Sequence, residues 1–242
     1  DVSLYTETIS VPAQAPAVIH QAIAAAYGGP GVAHLTLPQD LLSAKATGTT
    51  PSVATLRPRT EITPAASEIA DIAQRIDAAE NVVFMCGHGC LGAADLLRAL
   101  SYKLKAPLVH TYRGKEIMAF DDPRWMGGLG MIGTKPVYNA VQNSDLLVMV
   151  GTDYPFSNYL PSHGRVIQID ERAQVLGRRT PTQLGVIGSV RPTLKLLFDR
   201  VAAKADTAFF DKVTGERHKW NDKINKQADI ARSKDRIHPQ AV

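Results

Sequence analysis

The run Val82-Val83-Phe84-Met85-Cys86 shows no alternation of polar and apolar residues. A strand with one face in water alternates, whereas an unbroken apolar strand is buried on both faces, the signature of a parallel sheet covered by helices. Further strands follow at Pro107-Leu108-Val109-His110, at Leu146-Leu147-Val148-Met149-Val150 after Asp145, at Arg165-Val166-Ile167-Gln168-Ile169 ending on Asp170, and at Gln183-Leu184-Gly185-Val186-Ile187. Between and after them lie segments at helical spacing, with Ala94, Leu97, Leu100 and Leu104 on one inward face and Leu194, Leu197, Phe198 and Val201 on another. Ser189 is placed to cap the latter helix. Thr63 and Pro64 read as the N-cap and first residue of a helix before the first strand, with Ile69, Ile72, Ala73 and Ile76 as its apolar face. Strands alternating with helices imply right-handed crossovers. The expected fold is α/β, a doubly wound, mainly parallel sheet with helices on both faces, spanning residues 62–204.

The flanks read differently. Residues 12–27 carry Ala15, Val18, Ala22 and Ala26 on one helical face, and Val32-Ala33-His34-Leu35-Thr36-Leu37 reads as a strand. One helix and one strand cannot cover a sheet by themselves, so residues 1–42 are expected to be the end of another domain. Residues 43–61, rich in Ser, Thr, Ala and Pro, read as a linker. Residues 206–236 read as a charged, exposed helix, and Ile237-His238-Pro239-Gln240 as the start of a further unit, so that 205–242 form a helical linker leading into it. The first residue is Asp1 rather than Met, and the chain is expected to be a piece of a longer protein from which a native start and any targeting signal are missing.

Composition limits the chemistry. The net charge is +4 over 242 residues, but Lys and Arg are scattered rather than gathered into the stripe that nucleic acid requires, so no nucleic-acid partner is expected. Cys86 and Cys90 are the only cysteines; no second Cys pair or His cluster completes a zinc site, and Cys86 reads as core. With no signal peptide or transmembrane run, the expected location is cytoplasmic. No Ser-His-Asp set, H-E-x-x-H or Walker A motif occurs. His34 and His110, in apolar strands, read as core histidines.

In an open parallel sheet, ligands bind beyond the carboxyl ends of the strands, where strand order reverses. The residues just after each strand are therefore the candidates. Gly87-His88-Gly89, within the spacing Gly87-x-Gly89-x-x-Gly92, lets backbone approach a phosphate at a helix N-terminus; a tight strand-to-helix turn wants glycine equally. Arg113, in Tyr112-Arg113-Gly114-Lys115-Glu116, can reach a pyrophosphate or a flavin ring edge, or sit in a surface ion pair. The glycine-rich stretch of residues 127–133 places Leu129, Gly130, Met131 and Ile132 as backbone lying against a flat ligand, opening a helix at Thr134-Lys135-Pro136. In Gly151-Thr152-Asp153-Tyr154-Pro155-Phe156, Thr and Asp can bond ribityl or ribose hydroxyls, or close a turn. Asp170 stands where a ribose-binding acid stands in dinucleotide folds, or caps a helix from Glu171 onward.

Taken in order, Cys86-Gly87-His88-Gly89-Cys90, Lys105-Ala106-Pro107-Leu108-Val109-His110, Arg113-Gly114-Lys115-Glu116, Gly130-Met131-Ile132-Gly133, Gly151-Thr152-Asp153-Tyr154-Pro155-Phe156 and Ile167-Gln168-Ile169-Asp170 resemble the middle domain of the quinone-dependent pyruvate dehydrogenases, relatives of pyruvate oxidase and acetolactate synthase. The resemblance implies a Rossmann-like, DHS-type NAD/FAD-binding fold. It implies FAD in this domain, contacted by Leu129 to Ile132, by Thr152 to Phe156 and by Asp170, with Arg113 and Gly87, His88 and Gly89 alongside. It implies thiamine diphosphate and Mg²⁺ in the flanking pyrimidine- and pyrophosphate-binding domains, across the interface of a homo-oligomer, dimer or tetramer. Residues 32–42 resemble the end of the first of those domains, and residues 237–240 the approach to the second. The family's activating glutamate and its metal-binding motif have no counterpart here, so the chain alone is expected to be catalytically silent. Membrane attachment in the quinone-dependent relatives uses a C-terminal segment absent from this sequence, so the parent enzyme is expected to be cytoplasmic and at most peripheral to the inner membrane face.

Ser189 departs from that pattern, where these relatives commonly carry Asp near the flavin. The alternatives are a middle domain that binds no flavin, or only an ADP-like nucleotide, and joins subunits in a decarboxylase or an acetolactate-synthase-like carboligase, and a free-standing NAD-dependent dehydrogenase.

Overall fold

The computed structural model describes residues 2–29, 31–45 and 61–229, and the chain divides into two compact units, residues 1–60 and 61–242. Most of the expected linker and all of residues 230–242, including Ile237 to Gln240, lie outside the described residues.

The first unit is a β-α-β turn of chain. Strand β1 (Ser3–Thr8) leads through helix α1 (Ala15–Gly28) to β2 (Val32–Thr36), which pairs parallel to β1. Strand β1 is additional to those expected; Tyr5, Thr6 and Thr8 are β-favouring residues. Ala22 is buried on the expected face of α1. In β2, Ala33 and Leu35 are half-buried while His34 is exposed. His34 is therefore not the core histidine its apolar neighbours suggested, because alternation along the strand turns it to the other face.

The second unit carries the six-stranded parallel sheet. Its elements are α2 (Ala66–Ala78), β3 (Val82–Cys86), α3 (Ala94–Leu104), β4 (Leu108–His110), β5 (Trp125–Gly128), α4 (Lys135–Gln142), β6 (Leu146–Val150), β7 (Val166–Asp170), β8 (Leu184–Ile187), α5 (Val190–Arg200) and α6 (Ala208–Ala228). Strand order is β5-β4-β3-β6-β7-β8. The chain starts in the middle, winds outward to β5, returns to β6 beside β3, and winds outward the other way. This is the doubly wound Rossmann-like topology the aliphatic strands implied, with its reversal between β3 and β6.

Side-chain alternation sorts the core into two layers. Val82, Phe84 and Cys86 with Val148 and Val150 face Ile72 and Ile76 of α2, Leu97 and Leu100 of α3 and Leu194 and Leu197 of α5. Val83 and Met85 with Leu147 and Met149 face Val137 and Val141 of α4 and Phe210 and Val213 of α6. Each fully buried aliphatic side chain contributes about 1.5–3 kcal/mol, so these layers dominate the stability.

Three local expectations are corrected. Helix α2 starts at Ala66 rather than Pro64, with Ala65 in the N-cap place expected of Thr63; Glu68 reaches back to accept from the Ala65 N–H at 2.8 Å, while Pro64 is buried. Ser189 sits at the N-cap of α5, but its hydroxyl caps nothing there; it accepts from the Ile62 N–H at 2.9 Å. The stretch after Asp170 is not an α-helix but a turn with a short 3-10 segment at Ala173–Val175. Strand β5 is again additional. It lies at the sheet edge, with Trp125 stacked on His110 at 5.0 Å between ring centroids.

The charged helix α6 is fastened to the sheet by two arginines. Arg124 is sandwiched between the rings of Tyr102 (4.2 Å) and Phe210 (3.9 Å), and Arg217 donates to the carbonyls of Phe120 and Asp122. Among the described residues, no helix is long and apolar enough to cross a membrane.

Candidate functional site

At the reversal point, the loops leaving β3 and β6 touch. Gly87 N–H donates to Val150 O at 2.8 Å, and Gly89 N–H to Gly151 O at 3.0 Å. A Cβ on Gly87 would stand 2.3 Å from Gly151 O and from Thr152 Cβ, and one on Gly89 would stand 2.8 Å from Gly151 Cα. Gly151 itself has φ +59°. Of the two readings of Gly87 and Gly89, their amides and missing side chains serve the tight loop-to-loop contact. Neither lines the cavity beside it, whereas His88 between them does.

That cavity, about 520 Å³, opens at the carboxyl ends of the strands, within the range of small-molecule sites. Thr111, Tyr112 and Arg113 line it from the end of β4, and Leu129, Gly130, Met131 and Ile132 from the end of β5. Gly151, Thr152, Asp153, Tyr154, Pro155 and Phe156 line it from the end of β6, and Arg172 from beyond β7. Eleven of the fourteen residues expected at the site therefore share one wall system; Gly87, Gly89 and Asp170 do not line it. Thr111, Tyr112, Gly151 and Arg172 are additional. Arg172 had a legible signal, since it stands two residues past a strand end.

Asp170 is buried, and its carboxylate accepts from Arg172 N–H at 3.0 Å and Arg172 Nε at 3.2 Å. The Asp153 carboxylate is held by Arg178 and by Arg179, the latter at 3.2 Å. Arg113 has no carboxylate partner among the described residues. Of the charged residues that line the cavity, Arg113 and Arg172 are cationic and Asp153 is anionic, leaving positive charge in excess where an anionic ligand group would lie. Around the mouth, Tyr112, Met131, Ile132 and Phe156 expose apolar surface.

One buried group in the wall lacks a partner. Tyr154 is 3% exposed, and its hydroxyl has no hydrogen bond among the described residues. Burial pushes its pKa up to about 12, so it stays a donor at neutral pH. The ring meets Phe156 edge-on at 5.6 Å.

Gln168 is a residue that sequence reading passed over. It is 2% exposed within β7; its side chain donates to Thr152 O at 3.0 Å and accepts from Gly177 N–H at 2.9 Å. It thereby ties the β6 loop of the cavity to the β7–β8 connection. A polar residue inside an apolar strand was its signal.

The other candidates carry no site chemistry. Cys86 and Cys90 are buried and free; burial, reinforced by Cys90 alongside, pushes the Cys86 thiol up, as suits a core cysteine. His110 is half-buried, and its pKa is lowered by that burial. Among the described residues, no group of three or more His, Cys, Asp and Glu side chains could hold a metal ion.

Apolar and glycine-lined walls, an unpaired buried hydroxyl and surplus guanidinium charge fit a flat heteroaromatic ring joined to phosphate, and so fit FAD. The sheet order and the position of the cavity define a Rossmann-like α/β domain with its candidate site at the reversal point. Residues 69–197 match the family described as thiamine pyrophosphate enzyme, central domain, and the chain belongs to this family. It is 37% identical over 212 residues to an uncharacterized 42.6 kDa protein of Pseudomonas amyloderamosa, covering 87% of this chain and 54% of the relative. It is 29% identical over 242 residues to the putative thiamine pyrophosphate-containing protein YdaP of Bacillus subtilis, covering 100% of this chain and 42% of the relative. It is 28% identical over 225 residues to pyruvate oxidase of Lactiplantibacillus plantarum, covering 91% of this chain and 37% of the relative. The chain thus spans about half or less of the length of these relatives.

Proposed function

We propose that this chain is the cofactor-binding centre of a thiamine-diphosphate enzyme that oxidatively decarboxylates pyruvate or a related 2-keto acid, with FAD in the cavity at the β3–β6 reversal. The observation that carries this reading is the cavity wall: Tyr154, the backbone of Gly130 and Arg113, which has no carboxylate partner among the described residues, line one space. Similarity to a pyruvate oxidase supports the choice of reaction. FAD, when bound, supplies a two-electron acceptor. Toward it, Arg113 and Arg172 neutralise phosphate charge. The backbone of residues 129–132 and the aromatic pair Tyr154 and Phe156 bound the ring and exclude water. Thiamine diphosphate and Mg²⁺ belong to the pyrimidine- and pyrophosphate-binding domains of the whole protein, assembled as a dimer or tetramer.

A second reading, an ADP-binding or purely structural middle domain in a decarboxylase or carboligase, is favoured by Asp170. The acid assigned to a ribose hydroxyl is already engaged by Arg172. The visible spectrum of the intact purified protein separates the two. Flavin bands support the first reading; a colourless protein that releases only adenine nucleotide on denaturation supports the second.

A further inference from the structure

Away from the cavity, α4 and α6 lie side by side and leave a groove of about 290 Å³ between them. It shares no lining residue with the cavity at the β3–β6 reversal. Lys135 and Asn139 line it from α4, and Glu216, Lys219, Trp220 and Lys223 from α6. The α6 residues follow one another at helical spacing, so they share one face of that helix. Asn139 donates to the Glu216 carboxylate at 3.0 Å, which holds the two walls together. The charge in the groove is unbalanced, with Lys135, Lys219 and Lys223 against the single carboxylate of Glu216. Lys219 and Lys223 stand one helical turn apart, where like charges repel. Neither they nor Lys135 has a carboxylate partner among the described residues. Beside the ammonium groups lies the half-buried indole of Trp220, with Lys223 Nζ 5.7 Å from the ring centroid.

We propose that this groove is a second ligand site, for a small phosphate-bearing molecule with a flat ring. The phosphate lies among Lys135, Lys219 and Lys223, and the ring lies against Trp220. Ammonium groups bind phosphate as point charges, and a bound phosphate offsets the repulsion between Lys219 and Lys223. An indole offers a face on which a flat ring stacks. A volume of about 290 Å³ stands at the lower edge of small-molecule sites, so the occupant is of mononucleotide rather than dinucleotide size. The site is separate from the β3–β6 cavity, and neither assignment depends on the other.

The test is calorimetric titration of the intact protein with AMP, which carries one phosphate and one flat ring, and with inorganic phosphate. The double variant Lys219→Glu, Lys223→Glu reverses two exposed charges and should fold as the wild type does, which a thermal melt checks. Removing charged partners of a phosphate weakens binding by about tenfold or more, so this variant should lose an AMP site that the wild type shows. Trp220→Ala should weaken AMP by about fivefold or more through lost stacking, while leaving inorganic phosphate as it was. Glu216→Gln should tighten AMP, because it removes the one negative charge that faces the phosphate. AMP bound equally well by wild type and by the double variant overturns the proposal, since that AMP then sits elsewhere. A wild-type protein that takes up no AMP overturns it as well. AMP affinity untouched by Trp220→Ala also overturns it, by reducing the groove to a basic surface that reads no ring.

Discussion

Replacing Gln168 with Leu would test whether the cavity's β6 wall is held from beneath. The change keeps side-chain volume close to native and leaves the backbone alone. It removes the bond to Thr152 O (3.0 Å) and the bond from Gly177 N–H (2.9 Å). Thr152 is buried, so its carbonyl would lose a partner that water does not readily replace, at about 1–3 kcal/mol. Gly177 is exposed and its amide can turn to solvent, so that bond contributes only about 0.5–1.5 kcal/mol. Together the loss is about 1.5–4.5 kcal/mol, a large share of the roughly 5–15 kcal/mol that stabilises a typical domain. For a unit of this size, at about 2–4 °C per kcal/mol, the melting temperature should fall by about 3–18 °C. Urea unfolding followed by circular dichroism measures the first quantity, and a thermal melt the second. Ligand affinity should fall as well, because residues 151–156 lose their anchor to β7. A Gln168→Leu protein within about 0.5 kcal/mol of wild type, far below the sum of these hydrogen-bond terms, would refute the reasoning.

Gly87→Ala should be among the most damaging small substitutions in the chain, since its methyl would meet Gly151 O and Thr152 Cβ at 2.3 Å. Overpacking of this kind costs about 1–3 kcal/mol, and urea titration would show it, whereas Gly28→Ala, with nothing within 4 Å, should lack this penalty. Lys105→Gly should act in the opposite direction. Lys105 ends α3 in the left-handed region at φ +53°, where glycine avoids a steric cost of about 1 kcal/mol, so the midpoint of unfolding should rise; an unchanged or lower midpoint would contradict this.

The fold was legible where burial is two-sided. Val82 to Cys86 and Leu146 to Val150 announce central parallel strands because no polar residue interrupts them. Strand β5 was hidden because two of its four residues are glycines, and its pairing at the sheet edge depends on Leu108 and His110, which lie distant in sequence. The segment after Asp170 has helix-compatible residues, but Asp170 claims the Arg172 amide in a local turn and Gln168 claims that of Gly177, so side-chain bonds to the backbone override helix propensity. Most of the candidate wall was legible because strand ends converge on one edge of such a sheet. Arg172, two residues past a strand end, and Gln168, polar inside an apolar strand, each left a signal; which loops Gln168 joins was not legible, because that depends on contacts made in space. For Gly87 and Gly89 the spacing allowed either ligand or loop contact; only the position of Gly151 distinguishes them.

The central claim is that the cavity at the β3–β6 reversal holds FAD. A crystal structure of the intact protein grown with FAD tests it most directly. The account predicts flavin nucleotide density bounded by Arg113, by residues 129–132 and by residues 152–156, with phosphate density near Arg113 and Arg172. Density for FAD elsewhere in the protein, or an empty cavity at saturating FAD, would contradict it.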